Sequence, residues 1–377
     1  MRAYTDIPIW SGVDPGDWSD WKWQLQHCIF DGQTLEHVIP LTESERRVIN
    51  DTRRAGKMKI SPHVVSLMNP TDPNDAVRRS FVPSPDEFDS AQSSDLFSDV
   101  NADLTYSPTK GLVHRYPSKV LLFPTSYCGS YCRYCFRRVA SNSEESALAS
   151  SELQAAFKYI EEAPNVEEVI LSGGDPLVLP DEELCYIVRR VCEIGHVRIL
   201  RIHTRIPVTI PYRITCELAK GLNESKGRKV LFVVMHVASA PEMSEPMKVA
   251  VARLVDHGIP CFASCPLLRG VNDDEKCLRR LWTDLLTWRV KPYYLFHSDP
   301  VRGLRHFLVS LERGAGIMKN LYDRMSGLAM PLYCFNVPEG GGHVLLGPQS
   351  LVQQSPGVYT ITNFEGKSYT YHEPSGI

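Results

Sequence analysis

The sequence predicts an α/β protein: a partial (β/α)6 barrel with an N-terminal helical extension and a C-terminal hairpin segment. Three observations point there. Short runs rich in β-branched residues alternate with amphipathic stretches from about residue 118 onward. Six such units follow one another, which suits an open, partial barrel better than a closed eightfold one. The tail "SPGVYTITNFEGKSYTYHEP" alternates with period two and reads as a closing hairpin.

The elements follow in order. Residues 1–105 form a mainly helical extension. In it "DWSDWKWQLQHCI" carries an apolar, aromatic face at helical spacing, and "LTESERRVINDTRRA" offers Thr42 as an N-cap. "NPTDPNDAVRRSFVPSPDEFD" is rich in Pro and Asp and reads as an extended, turn-laden segment. Residues 106–328 hold the barrel. Its strands are expected at 119–126, 166–174, 197–204, 229–237, 259–270 and 290–299, with helices near 149–163, 181–193, 213–222, 243–257, 273–288 and 304–325. Residues 329–377 complete the substrate pocket and carry the hairpin. In such folds the chemistry sits at the C-terminal ends of the strands.

Composition excludes several classes. The chain has 377 residues, 43% hydrophobic, and a formal charge of −3, so neither nucleic acid nor a membrane surface is expected as partner. No apolar run reaches the length of a bilayer span, and "MRAYTDIPIWSGVDPGDW" has no signal-peptide core. A cytoplasmic location with reduced thiols is therefore expected. Eight scattered cysteines, Cys28, Cys185, Cys192, Cys216, Cys261, Cys265, Cys277 and Cys334, read as small buried side chains.

Cys128, Cys132 and Cys135 stand apart. They lie in "YCGSYCRYCFRR", directly after the first expected barrel strand, in a C-x3-C-x2-C spacing. Four thiolates close a [4Fe–4S] cube, so three leave one iron open to a small molecule. The alternatives are a zinc site with a distant fourth ligand, or unrelated thiols. "LSGGDPL" closes the next strand with Ser172, Gly173, Gly174 and Asp175, where glycines permit close backbone approach.

Together these motifs resemble the radical S-adenosylmethionine (SAM) enzymes. The resemblance implies that SAM binds the open iron through its amino and carboxylate groups, and that a 5′-deoxyadenosyl radical takes hydrogen from the substrate. It also implies that the GG-D turn holds the SAM ammonium, and that an electron donor of flavodoxin or ferredoxin type serves the cluster. "GDWSDWKWQLQ", "DPNDAVRR", "GLVHRYPSKVLL", "RIPVTIPYRIT", "LLRGVNDDE", "KPYYLFHSD", "GLRHF" and "NFEGKSYTYHEP" resemble lysine 2,3-aminomutase, in the same order, from about residue 17 to 373. That family moves an amino group between the α- and β-carbons of an amino acid with the help of pyridoxal phosphate (PLP).

The resemblance assigns further residues. Arg137 matches the arginine that binds the substrate carboxylate. Arg115 and Lys119 match PLP phosphate contacts, with lysine where arginine is usual. Asp299 and Asn336 match two aspartates that face the lysine ε-ammonium; the amide halves that negative charge, so a neutral or differently charged substrate tail is expected. His236 matches a histidine near SAM, a satisfied core histidine being the alternative. Tyr134 can border the adenine. Arg269 and Asn272 either contribute to the site or only order their loop. Within "PEGGGHVLLGP", His343 stands where the family carries the lysine that anchors PLP. Imidazole has no primary amine to condense with an aldehyde. With no lysine nearby in sequence, loss of the PLP role is the expectation, and His343 becomes a candidate acid/base. The chain lacks the cysteine-rich C-terminal extension of some relatives, so a homo-oligomer is possible but a tetramer is not implied.

The leading expectation is a radical SAM enzyme that takes hydrogen from an amino-acid-like substrate without PLP. Two alternatives stand beside it: a PLP-dependent 2,3-aminomutase with an unusual anchor, and a non-catalytic SAM-binding relative.

Overall fold

The computed structural model describes residues 1–50, 57–88, 105–137, 146–301, 303–337, 342–347, 351–356, 358–362 and 367–372. Most of the glycine-rich turn before His343 lies outside the described residues, as does the turn of the expected tail hairpin.

All six expected barrel strands form: β2 (Lys119–Thr125), β3 (Glu168–Gly173), β4 (Ile199–Thr204), β5 (Val230–His236), β6 (Cys261–Leu267) and β7 (Val290–His297). They pair in parallel and in sequence order. The sheet is larger than expected, with nine strands. A further parallel strand, β8 (Leu332–Val337), follows β7, while β1 (Leu112–Tyr116) and β9 (Gly342–Leu345) pair antiparallel at the two edges. The alternation of strand and amphipathic helix is silent about these three, because β1 and β2 join by a tight turn and no helix follows β8 among the described residues.

Strand periodicity divides the sheet into two faces. On β4, Leu200 and Ile202 join the main core, which packs the sheet against its helices, so Arg201 and His203 point to the opposite, inner face. Those helices are Ser150–Glu161, Asp181–Glu193, Cys216–Ser225, Glu245–Asp256, Glu275–Thr287 and Leu311–Leu321. The last is shorter than the 304–325 segment expected. Ser310 caps it, accepting from Arg313 N, and residues Arg305–Phe307 form a separate single turn. The tail builds a three-stranded antiparallel sheet, β10 (Leu351–Ser355), β11 (Val358–Thr362) and β12 (Ser368–His372), one strand more than a hairpin. Of the scattered cysteines, Cys185 is only half-buried, and Cys216 and Cys277 are exposed, since both lie in the first turns of surface helices.

The N-terminal extension has its own core, including Ile7, Trp10, Trp18, Leu35, Ile60, Val64 and Phe81. Thr42 caps Glu43–Asn50: its hydroxyl accepts from Glu45 N at 3.2 Å while Glu45 Oε2 accepts from Thr42 N at 2.7 Å. The Pro/Asp-rich segment is less extended than its composition suggests. Asp75 caps a helix over Ala76–Phe81, and the buried Arg78 anchors it to Glu45 and to the carbonyls of Pro40 and Pro70. Hydrogen bonds from Trp18 to Tyr212 (2.9 Å) and from Ser61 to the Thr209 carbonyl (2.6 Å) dock the extension on the segment that follows β4.

Candidate active site

The cysteine loop leaves the C-terminal end of β2, and the N-terminal extension fixes its path. Tyr131 N donates to Lys59 O and Arg133 N to Ser80 O, both at 2.8 Å. Ser130 Oγ accepts from Ser61 N at 3.0 Å. The Arg133 guanidinium enters a buried ion pair with Glu87, Nε to Oε1 at 2.9 Å, and also reaches Lys57 O. Loops over a barrel mouth are ordinarily mobile; this one is tied down backbone group by backbone group.

The thiols it presents feel one another. Burial pushes Cys128 well above the usual thiol range, and the charges of Asp175, Cys135 and Cys132 push it further. Burial also raises Cys132, opposed by Arg205. Such a set releases its protons when a cation binds. Among the described residues, no group of three or more His, Cys, Asp or Glu side chains is arranged to hold a single metal ion. Three thiols on one braced loop, with Cys132 and Cys135 near enough to Cys128 to raise it, are a donor set that fits a [4Fe–4S] cluster with one open corner.

The GG-D turn serves the same loop. Gly173 has φ +103°, and a Cβ on Gly174 would stand 2.2 Å from the Tyr127 carbonyl oxygen. Gly174 N donates to Thr125 O at 2.8 Å and Asp175 N to Tyr127 O at 2.6 Å. The close approach these glycines permit is therefore made by the chain itself, where the sequence suggested a ligand. Asp175 is committed internally: its carboxylate accepts from Leu177 N, Arg205 N, Ile206 N and the Thr204 hydroxyl at 2.7–3.1 Å. These bonds make Asp175 the brace between the ends of β3 and β4.

Tyr134, between the second and third cysteines, is buried. Its hydroxyl lies 3.1 Å from His236 Nε2, its ring stacks on His236 at 5.6 Å, and the Arg205 guanidinium overlies it at 5.0 Å. Burial, then Arg205 and His203, hold His236 well below the usual imidazole range, so it is neutral near pH 7. The Tyr134 ring is thus already engaged by His236 and Arg205.

The remaining residues line the inner face. Arg137 lies over the rings of Phe123 and Phe136, with Nη1 3.5 Å from Ser172 Oγ. His203 is held down to about 3 by burial and by Arg201, Arg137 and His343, and its Nε2 is buried without a hydrogen-bond partner among the described residues. Asn336 Nδ2 donates to both oxygens of Asp299, at 3.2 and 3.0 Å, and its own Oδ1 is buried with no hydrogen-bond partner among the described residues. Asn336 pairs with His343 across β8 and β9. The His343 ring lies between Phe296 (5.6 Å) and Tyr116 (5.9 Å). Both Arg115 and Lys119 reach the Tyr116 ring, Lys119 Nζ at 4.5 Å. Lys119 and His343 thus share the Tyr116 ring as a neighbour, which linear distance along the chain concealed. Asn272 orders its own loop: Oδ1 accepts from Leu268 N, and Nδ2 donates to Ala238 O and Pro266 O.

Sequence reasoning missed Arg205, Glu242, His203 and Tyr116. Arg205 follows β4 directly and His203 lies at its C-terminal end, so the strand-end rule that found the cysteines could have found both.

Residues 122–281 match the family described as Radical SAM superfamily, and residues 318–377 that described as Lysine-2,3-aminomutase. The L-lysine 2,3-aminomutase of Clostridium subterminale is 37% identical over 366 residues, covering 97% of this chain and 87% of its own length. The glutamate 2,3-aminomutase of Clostridioides difficile (strain 630) is 35% identical over 366 residues, covering 97% and 85%. Among solved structures, a radical SAM methyltransferase from Sphaerobacter thermophilus covers 60% of this chain and 68% of its own, with TM-score 0.45 and 16% identity. No helix among the described residues is long and apolar enough to cross a membrane. The barrel, the cysteine triplet at its mouth and this near full-length similarity place the chain in the lysine 2,3-aminomutase family of radical SAM enzymes, which use a [4Fe–4S] cluster and SAM.

Proposed function

We propose that this enzyme takes hydrogen from an amino acid whose carboxylate Arg137 holds, with no PLP bonded at residue 343. The observation that carries this reading is His343 itself, set between Tyr116 and Phe296 on β9 with an imidazole in place of an amine. Cys128, Cys132 and Cys135 would hold the cluster. When bound and reduced, it supplies the electron that splits SAM into methionine and a 5′-deoxyadenosyl radical.

The chain's own residues do the rest. The turn at Gly173 and Gly174 fixes where the cysteine loop starts, and Asp175 locks that turn to β4. Tyr134 and His236 border the nucleoside without adding charge, because His236 is neutral. Arg137 presents a planar, permanently charged fork to the substrate carboxylate, steadied by Phe123 and Phe136. Asp299 and Asn336 offer one carboxylate and one unpaired amide oxygen to the far end of the substrate. Two acceptors with a single negative charge suit a tail with several donors and at most one positive charge. Arg115 and Lys119 lie on the same side as His343 and bind an anionic group there. The His343 ring holds or moves a proton at the substrate end nearest β9.

Amino migration is the family reaction. Without an imine to delocalise the migrating group, the outcome we propose is desaturation, epimerisation, elimination or another rearrangement. The donor is a flavodoxin- or ferredoxin-type protein, the setting the cytoplasm, and the assembly a homo-oligomer. Three segments divide the labour: the extension to about residue 105 braces the cysteine loop, the barrel to 328 carries the radical chemistry, and the remainder shapes the substrate pocket. The test is an amino-acid panel with reconstituted cluster, reductant and SAM. Substrate-dependent 5′-deoxyadenosine, lost in Arg137→Ala, supports the reading; substrate-independent formation with all candidates contradicts it.

One observation favours a second reading. Lys119 Nζ lies over the Tyr116 ring, and that tyrosine's hydroxyl accepts from His343 N. Lys119 could then supply the amine that residue 343 lacks. Borohydride treatment after incubation with PLP, followed by peptide mass spectrometry, decides it: a PLP adduct on Lys119 establishes this reading, and its absence leaves the first.

A further inference from the structure

Arg205 begins the segment after β4, and its side chain is about nine-tenths buried. Its backbone N donates to Asp175 Oδ2 at 2.7 Å, so its position is set by the brace described above. The guanidinium is sandwiched against aromatic rings, 4.7 Å from the centre of Phe81 and 5.0 Å from that of Tyr134. Nη2 donates to Glu242 Oε1 at 2.8 Å, and Glu242 is fully buried with its other oxygen accepting from Ala238 N at 2.8 Å. Nε and Nη1, in contrast, are buried and meet no oxygen acceptor among the described residues. An unpaired buried donor is costly, more so on a charged group. The thiol within its reach is that of Cys132.

We propose that Arg205 donates to the Cys132 sulfur of the loaded cluster and, with Glu242 fixed behind it, sets the reduction potential of that cluster. This rests on the reading of Cys132 as a cluster ligand. One-electron reduction adds a negative charge to the cluster. A fixed cation at hydrogen-bonding distance, away from water, stabilises that added charge more than the oxidised form and raises the potential. Glu242 offsets part of this field and holds the fork in place. The ring contacts keep the guanidinium from reorganising as the electron arrives. Arg205 is a positioning and tuning residue and takes no part in bond breaking.

The experiment is a redox titration, followed by electron paramagnetic resonance, of reconstituted wild type and three variants, with iron and sulfide measured on each sample. Arg205→Gln is expected to shift the midpoint to a more negative potential. Arg205→Lys, which keeps the charge, is expected to lie between it and wild type. Glu242→Gln removes the offsetting charge and is expected to shift the midpoint the other way, to a more positive potential. Opposite shifts from the two partners support the proposal. Shifts of the same sign, or none, at normal iron and sulfide content overturn it. Should Arg205→Gln not hold a cluster, the sign of the Glu242→Gln shift decides alone. Wild type that takes up no cluster refutes the cluster reading instead, so the two failures are distinct.

Discussion

The Tyr116 hydroxyl accepts a hydrogen bond from the His343 backbone N–H at 3.1 Å, joining the first strand of an open sheet to the last. The strands do not pair there, yet the sheet curls far enough for a side chain of β1 to reach the backbone of β9. Gly342 makes that approach possible: its φ is +75°, and a Cβ would stand 3.1 Å from the same hydroxyl. Tyr116→Phe should cost about 1 kcal/mol. It should also loosen the placement of His343, raising KM for the amino acid more than it lowers kcat. Thermal unfolding and steady-state kinetics check both.

The cysteine loop should be sensitive to the glycine that the chain itself crowds. Gly174→Ala places a methyl against the backbone at Tyr127 and Ser126. A loss of about 1–3 kcal/mol is expected from the forced shift. A sharp drop in iron bound per chain should accompany it, because the backbone displaced is that of Cys128's own neighbours. Iron analysis after reconstitution is the check.

Glu87 and Arg133 are both almost wholly buried, one on the extension and one inside the cysteine loop. Removing one charge leaves the other stranded, a cost of about 3–5 kcal/mol. Glu87→Gln should lower the denaturant midpoint and slow cluster incorporation. The paired replacement Glu87→Gln with Arg133→Met should recover part of the stability. Equal losses from single and double replacement would speak against the coupling.

Stability should depend on pH through buried histidines. His63 is fully buried and held down to about 3, chiefly by burial. Unfolding restores its ordinary value near 6.5. The folded state therefore binds fewer protons in that window, so stability falls as pH drops from about 6.5 toward 3, by about 1.4 kcal/mol per pH unit for this group. Above about 6.5 it has no effect. His63→Gln should flatten the acid limb of stability against pH, as urea unfolding at several pH values would show; an unchanged slope would count against this source.

Much of this was legible in the sequence. The six central strands and their helices carry both periodicities, and the cysteine triplet is read directly from its spacing and its place after a strand. What escaped was of two kinds. β1 and β9 are edge strands paired antiparallel and β8 extends the parallel run between β7 and β9, all three without the alternation of strand and helix that marks the others. The Tyr116–His343 contact depends on curvature, which brings positions more than 200 residues apart together and leaves no mark on local pattern, and the pairing of Arg205 with Glu242 is visible only once β4 and β5 lie side by side. The glycines of the GG-D turn were found by sequence, but the atoms they make room for are known only from the fold.

The central claim is that this family member works on an amino acid without PLP. Its most direct test is substrate-dependent 5′-deoxyadenosine formation by protein shown by absorbance to be free of PLP, measured before and after PLP is added. The account predicts turnover in the PLP-free protein and no more than a slight change on addition. Turnover that is absent until PLP is supplied would contradict it.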